Sequence, residues 1–157
     1  MSTTAFTLLF VFALMLSVGV KLWLSVRQCR HVASNRNVVP EAFAHRVGLA
    51  AHRRAADYTI ARQQFALVEL FIGTAFLLVL TLLGGLQVLS LAIARFVPGP
   101  ELLRQVLVVL GVVFLGGLIE LPASVYRQFV LEERFGFNRM TLRLFVADLV
   151  KGTLVGA

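Results

Sequence analysis

The sequence predicts an all-α, polytopic transmembrane helical protein with three full spans, the start of a fourth, and a cytoplasmic amphipathic helix. Two observations predict this class. Hydrophobic residues make up 59% of the 157 residues, whereas soluble domains contain roughly 45–50%. Charged residues make up only 15%, and most of them flank long uncharged runs. The net charge of +7 therefore favours anchoring in a lipid bilayer over binding of nucleic acid.

The first span is predicted at residues 3–24, where Lys21 is the one charged residue. At about 1.5 Å per residue, a helix of this length crosses a hydrocarbon core of ~30 Å. The first residues carry no base, which favours a retained helix over a cleaved signal peptide. Two further apolar runs, uncharged over residues 70–94 and 105–119, predict a second span at residues 68–94 and a third at 102–125, joined by a tight connection at 98–100.

A fourth span is predicted to begin near residue 142 and to be still apolar at residue 157. Residues 144–157 would rise only about 21 Å as a helix, which is less than a full crossing. The sequence therefore predicts a truncated fragment that stops inside a transmembrane helix.

The positions of the basic residues predict the orientation of these spans. Residues 21–62 contain eight Lys and Arg residues, 95–104 contain two, and 127–151 contain five. The first and third connections are thus predicted to be cytoplasmic, and the N-terminus to lie outside. The membrane is the inner or plasma membrane if the chain is bacterial, and the endoplasmic reticulum if it is eukaryotic.

An amphipathic cytoplasmic helix is predicted between the first two spans. Pro40 suits the first turn of a helix, and Glu41 lies where the helix dipole favours an acid. Apolar residues then recur at four-residue steps, the period of one helical face; they are Phe43, Val47, Ala51 and Ala55.

Three of the charged residues inside the predicted spans, Glu120, Asp148 and Lys151, require a structural explanation. Two locations are predicted for Glu120. It either lines a cavity, or it lies at the cytoplasmic rim of the span and pairs with Arg127 or a neighbouring residue. Pro122 is expected to bend or end the third span. Asp148 and Lys151 are three residues apart and are expected to pair on one helical face, because a lone charge there is costly.

The histidines do not predict a metal site. A helical zinc-peptidase motif needs His-Glu-x-x-His, which places both imidazoles on one face beside a carboxylate. The residues four positions after His31, His45 and His52 are not histidines. We therefore assign no catalytic and no metal-binding residue in this sequence.

Several short segments together resemble the N-terminal membrane region of the CAAX prenyl protease family, which are membrane zinc metallopeptidases. The most specific segment is a charge-dense block between two apolar runs, residues 132–141. The other matching pieces are Asn35-Arg36 with Val39-Pro40 and Phe43, then residues 52–59, Leu121-Pro122, Tyr126, Phe129, Phe145, Asp148 and Lys151.

The resemblance implies a helical membrane enzyme that hydrolyses peptide bonds at a membrane-embedded zinc. In the family, two histidines of His-Glu-x-x-His and a downstream glutamate hold the metal, and eukaryotic-type members cleave C-terminal peptides from prenylated proteins. It implies that residues 1–157 form one N-terminal membrane domain that lacks the zinc-binding motif and is inactive alone. Zinc is expected only in the full-length family member.

The resemblance also implies partners and scaffold residues. The expected partners are the lipid bilayer, the missing C-terminal catalytic part, and a peptide or prenylated protein substrate. The alternative function is a non-catalytic membrane scaffold or interaction protein derived from the same fold. The family-motif residues expected to have structural roles are Asp57, Tyr58, Glu120, Pro122, Glu132, Glu133, Arg134, Phe135, Gly136, Phe137, Asn138, Asp148 and Lys151.

Overall fold

A computed structural model of the chain describes residues 2–43 and 45–156, and every regular element in this part is helical. Three stretches are long and apolar enough to cross a membrane: Thr3–Ser34, Leu49–Thr81 and Glu101–Arg134. This confirms the prediction of an all-helical chain with three long apolar spans. The chain divides into two compact units, Met1–Leu70 and Phe71–Ala157, which are described separately.

The first helix, α1, covers Thr3–Ser34 and continues ten residues beyond the predicted end of the first span. It begins where the hydroxyl of Ser2 accepts a hydrogen bond from the backbone N–H of Ala5, at 3.2 Å, an ordinary N-cap arrangement. It ends where the Asn35 side-chain amide donates to the backbone carbonyl of His31, at 2.8 Å. Both helix ends therefore have side-chain hydrogen bonds that satisfy backbone groups.

The amphipathic helix predicted to start at Pro40 is not confirmed, because no continuous helix covers residues 40–55 in the part of the chain that the structure describes. Glu41–Phe43 form a short 3₁₀ turn after Pro40. The second helix, α2, then covers Leu49–Thr81 without interruption. Residues 49–72 contain neither glycine nor proline, so no residue with a strong helix-ending tendency separates the basic half of this helix from its apolar half.

The second span, predicted as one run over residues 68–94, is divided in the structure. Helix α2 ends at Thr81, and the 12-residue helix α3 covers Gly85–Phe96. Gly84 between them has a φ of +75°, the left-handed conformation that glycine adopts without strain. A Cβ atom on Gly85 would lie 2.8 Å from the carbonyl oxygen of Val79. The glycine pair thus ends the helix, where the sequence predicted one unbroken span.

The third span agrees closely with its prediction. Helix α4 covers Glu101–Tyr126 and contains Pro122, which bends or interrupts the hydrogen-bond ladder but does not end the helix. A π-helical turn, Arg127–Leu131, follows directly, then the short helix α5, Glu132–Arg134. Such wider turns occur where the regular ladder is disturbed.

The last helix, α6, covers Leu142–Gly156 and begins where the fourth span was predicted. The predicted end of that span at Ala157 lies outside the described residues.

Among all the residues that the structure describes, few apolar side chains are buried. The buried ones are Val18, Ala56 and Leu131. Large apolar side chains such as Phe96 and Phe114 are 80% and 70% exposed. A helical surface this apolar is stable against lipid or other protein rather than against water.

Candidate functional site

The first unit contains a polar cluster where the connection after α1 meets the start of α2. We call it the first-loop cluster. Its six members are Asn35, Arg36 and Asn37 on the connection, and His52, Arg53 and Asp57 on α2. All of them except Asn37 belong to segments that the sequence singled out.

Three side-chain contacts hold the first-loop cluster together. The Nη2 atom of Arg36 lies 2.7 Å from Oδ2 of Asp57. Arg53 donates through Nε to Oδ1 of Asn37 at 3.0 Å. The Nε2 atom of His52 lies 3.1 Å from the carbonyl oxygen of Asn35. Three consecutive loop residues thus each contact α2, which fixes the connection on the helix.

The ion pair of this cluster is partly open to solvent. The side chains of Arg36 and Asp57 are 45% and 39% exposed, so its contribution to stability is small and depends on salt. Tyr58 follows Asp57 on α2 and is partly buried. These contacts join the connection to α2, so we assign the cluster a structural role.

The second unit contains the family-motif block in a connection that we call the elbow, residues 127–141, between α4 and α6. Its turn is a Schellman motif. The backbone N–H of Phe137 donates to the carbonyl of Glu132 at 2.9 Å, and that of Gly136 donates to the carbonyl of Glu133, also at 2.9 Å. Gly136 has a φ of +77°. Glycine is favoured here because the turn needs the left-handed conformation.

The Gln128 side chain joins the two ends of the elbow. Its amide nitrogen Nε2 donates to Oε2 of Glu132 at 2.9 Å and to Oδ1 of Asn138 at 3.0 Å. The same Asn138 oxygen accepts from the backbone N–H of Met140 at 2.8 Å. One glutamine amide thus holds the helix before the turn against the chain after it.

Two aromatic contacts accompany these hydrogen bonds. The rings of Phe129 and Phe145 meet edge to face, with centroids 5.6 Å apart and planes at 73°. The guanidinium carbon of Arg134 lies 5.9 Å from the centroid of the Phe135 ring. Phe129 precedes the turn and Phe145 is in α6, so their contact orients the last helix against the elbow.

A cleft of about 390 Å³ lies between α4, the elbow and α6. Its charged lining residues are Glu120, Arg127 and Asp148, and Gln128 lies beside them. The structure therefore places Glu120 on a cavity wall together with its predicted partner Arg127. Asp148 lines the same cleft, and among the described residues it forms no ion pair with Lys151. The predicted Asp148–Lys151 contact stays a prediction, and Asp148 lines the cleft together with Glu120.

The cleft wall changes from apolar helix to polar elbow along its length. Gly117 and Leu121 of α4 precede Ser124, whose hydroxyl donates to the Leu121 carbonyl at 2.8 Å. Pro122 lies between Leu121 and Ser124 in the sequence and is exposed. This segment brings a negatively charged α4 residue and the polar elbow onto one surface, which suits recognition of a polar or cationic group.

The described residues do not satisfy the ligand requirement of a zinc site. Zinc takes at least three side-chain ligands from His, Cys, Asp and Glu. Across residues 2–43 and 45–156, no three such side chains lie close enough to share an ion. Glu120 and Asp148 are the acids of the cleft, and no histidine lines it. We therefore derive no reaction step through a metal.

Sequence reasoning missed the residue at the centre of the elbow. Gln128 was not among the candidate residues, although it lies four positions before Glu132 and such i, i+4 pairs interact on a helix. Its second contact, with Asn138, has no local signal because it requires the intervening turn. Ser25 was missed too; it is buried and lies seven residues after buried Val18, on the same face of α1.

Comparison with known proteins identifies the family of these features. The family model described as "CAAX prenyl protease N-terminal, five membrane helices" matches residues 28–157. A CAAX prenyl protease 1 homolog of Dictyostelium discoideum is 30% identical over 142 residues, 85% of this chain and 32% of that protein. The CAAX prenyl protease 1 of Saccharomyces cerevisiae is 51% identical over 37 residues, 24% of this chain and 8% of that protein.

A solved structure shows the same fold. The crystal structure of S. mikatae Ste24p superposes with a TM-score of 0.79 at 20% sequence identity, covering 90% of this chain and 34% of that one. The chain spans about a third or less of the length of these relatives.

Proposed function

Because this chain belongs to the CAAX prenyl protease family as its N-terminal membrane region, we propose that it is the membrane-embedded scaffold of a zinc metalloendopeptidase. The complete enzyme hydrolyses peptide bonds near the C-terminus of prenylated proteins. The observation that carries the proposal is the match of residues 28–157 to the family's N-terminal region.

The zinc and its ligands belong to a part of the enzyme outside these 157 residues. A peptidase of this type needs a His-Glu-x-x-His pair on a helix, with zinc polarising a carbonyl and activating a water molecule. The printed sequence has no such motif. On this proposal the chain is inactive alone and contributes helices, the elbow and the cleft wall.

The elbow positions the cleft. The Gln128 amide and the Phe129–Phe145 contact hold α6 against the end of α4, and the carboxylates of Glu120 and Asp148 both line the space between them. A small shift of a supporting element can cost a peptidase much of its rate, because catalysis needs reacting atoms placed to within a fraction of an ångström. We therefore assign the elbow a positioning role.

The protein is a multi-pass membrane protein, and we propose that its N-terminus lies outside. The eight Lys and Arg residues between positions 21 and 62 support this orientation. Labelling Cys29, the one cysteine, with a membrane-impermeant maleimide tests it. Cys29 should be labelled only after the membrane is permeabilised so that the reagent reaches the cytoplasmic face. Labelling in intact cells would show that the orientation is the opposite one.

A chimera tests the proposed function. The matched segment of the Dictyostelium relative is replaced by this chain, and cleavage of a farnesylated CAAX peptide is measured in membranes. We expect cleavage and bound zinc in the chimera, and neither in the purified 157-residue chain.

Matched variants separate a positioning role from general damage. Asn138→Ala in the chimera should lower cleavage without changing zinc content, since it removes an acceptor of the Gln128 amide. Arg95→Met, which replaces an exposed residue of α3 outside the elbow and the cleft, should leave both unchanged. A membrane-inserted, zinc-loaded chimera with no cleavage would favour the non-catalytic scaffold instead, and a zinc-binding, active 157-residue chain would refute the proposal.

A further inference from the structure

A second cleft lies within the first unit, between α1 and α2, with a volume of about 440 Å³. Its polar lining residues are Lys21 and Ser25 of α1 and Gln63 of α2. Leucines at positions 24, 67 and 70 form its apolar walls. No carboxylate is among these described lining residues. The cleft thus combines one cation and hydrogen-bond donors with hydrocarbon walls.

Ser25 is the unexplained group in this cleft. Its side chain is 1% exposed, and its hydroxyl oxygen has no hydrogen-bond partner among the described residues. A buried hydroxyl without a hydrogen-bond partner costs free energy, because it has lost its bonds to water without replacement. Such a group points to a partner that is not part of this chain.

The length of α1 predicts that the cleft lies near one edge of the hydrocarbon core, beside the lipid head groups. Lys21 is eighteen residues after the start of α1 at Thr3, about 27 Å along the helix axis, against a hydrocarbon core of ~30 Å. Trp23 and Arg27 follow, with the guanidinium carbon 5.5 Å from the indole centroid. Tryptophan and basic residues concentrate at membrane interfaces.

We propose that this cleft binds the phosphate group of an anionic glycerophospholipid. The Lys21 ammonium group supplies the charge, and the Ser25 hydroxyl and Gln63 amide donate hydrogen bonds. An acyl chain of the same lipid lies along the leucine walls. Three donor groups with no carboxylate select an anion, and basic pockets between membrane helices are known to hold anionic head groups.

The apolar walls favour a lipid over free phosphate. A small inorganic anion gains nothing from the leucines, whereas a phospholipid buries its acyl chain against them. The surrounding segment, residues 21–62, carries eight Lys and Arg residues, which raises the local concentration of anionic lipid at this surface. The proposal does not depend on peptidase activity.

Native mass spectrometry of the full chain tests the proposal. The protein is released from micelles containing equal amounts of phosphatidylglycerol and phosphatidylcholine, and the ratio of the two retained lipids is measured. We expect phosphatidylglycerol to be preferred. Lys21→Met should lower this preference about fivefold, the ratio that corresponds to ~1 kcal/mol per basic residue at an anionic surface. Lys21→Arg should retain it.

Ser25→Ala separates binding from packing. In the lipid-free protein it removes a buried hydroxyl with no partner, so it should not lower helix content or thermal stability. It should still weaken phosphatidylglycerol retention, by about tenfold, because a hydrogen bond to a charged phosphate is lost. Lys151→Met, which removes an exposed base outside the cleft, is the matched control and should change nothing.

Three results would overturn the proposal. They are equal retention of the two lipids, a phosphatidylglycerol preference unchanged by both Lys21→Met and Ser25→Ala, and retention of inorganic phosphate without lipid. The last result would assign the cleft to a free anion.

Discussion

The sharpest test of the elbow is the substitution of Gly136 by alanine. A Cβ atom at this position would meet no atom within 4 Å, so the substitution adds no steric clash. The cost comes from the backbone, because φ is +77° and a left-handed conformation costs an L-residue about 1–2 kcal/mol. Loss of conformational entropy in the unfolded chain offsets about 0.4–1 kcal/mol of this. A net loss of about 1 kcal/mol remains.

The thermal midpoint in detergent micelles, followed by circular dichroism, measures this loss. For a chain of about this size, 1 kcal/mol corresponds to roughly 2–4 °C. Gly136→Asn should lose less than Gly136→Ala, since asparagine tolerates the left-handed region better.

Gly19→Ala is the matched control for this prediction. Gly19 lies inside α1, and a Cβ atom there also meets nothing within 4 Å. Alanine is favoured over glycine in a helix by about 1 kcal/mol, so the midpoint should rise. Equal midpoints for the two alanine variants would refute the assignment of a required left-handed turn at Gly136.

Three further predictions follow from the described contacts. A double-mutant cycle with Gln128→Ala and Asn138→Ala should give a coupling free energy of about 1 kcal/mol, measured from unfolding midpoints. Zero coupling would show that the hydrogen bond between these two side chains does not stabilise the elbow. Asp57→Asn should lower the free energy of unfolding by no more than about 1 kcal/mol, because the ion pair with Arg36 is partly exposed. This loss should be smaller in high salt, and a loss that does not depend on salt would contradict the assignment. Pro122→Ala should keep or raise the midpoint, since it returns a backbone N–H to the ladder, and a fall would show that the π turn needs proline.

The long apolar runs were predictable because their signal is compositional. The third span, 102–125, is matched by α4 at Glu101–Tyr126, since Pro100 precedes it and helix-favouring apolar residues fill it. The start of α6 at Leu142 was predicted for the same reason. Hydrophobic free energy over some twenty residues outweighs any single local preference.

The break in the second span was not predictable from composition. Residues 70–94 are uncharged and mostly apolar, and one glycine costs a helix only about 1 kcal/mol. Whether Gly84 ends the helix depends on what the following residues contact, which a local pattern does not contain. The same limit applies to Gln128, whose contact with Asn138 spans ten positions.

The two polar clusters obey one physical rule. A helix bonds its backbone polar groups internally and needs no side chain for this. A connection between helices has no such regular ladder, so side-chain hydrogen bonds to the neighbouring helices fix its course. Asn37 bonds to Arg53 in the first-loop cluster and Asn138 to Gln128 in the elbow.

This rule explains why the family resemblance is most specific in the connections. A lipid-facing position on a helix accepts almost any apolar residue of suitable size, so the spans carry little identifying pattern. The elbow needs a glycine in the left-handed conformation at position 136 and an acceptor at position 138 that reaches back to Gln128. Few residue types satisfy each of these requirements, so the block at 132–141 identifies the family where the apolar helices do not.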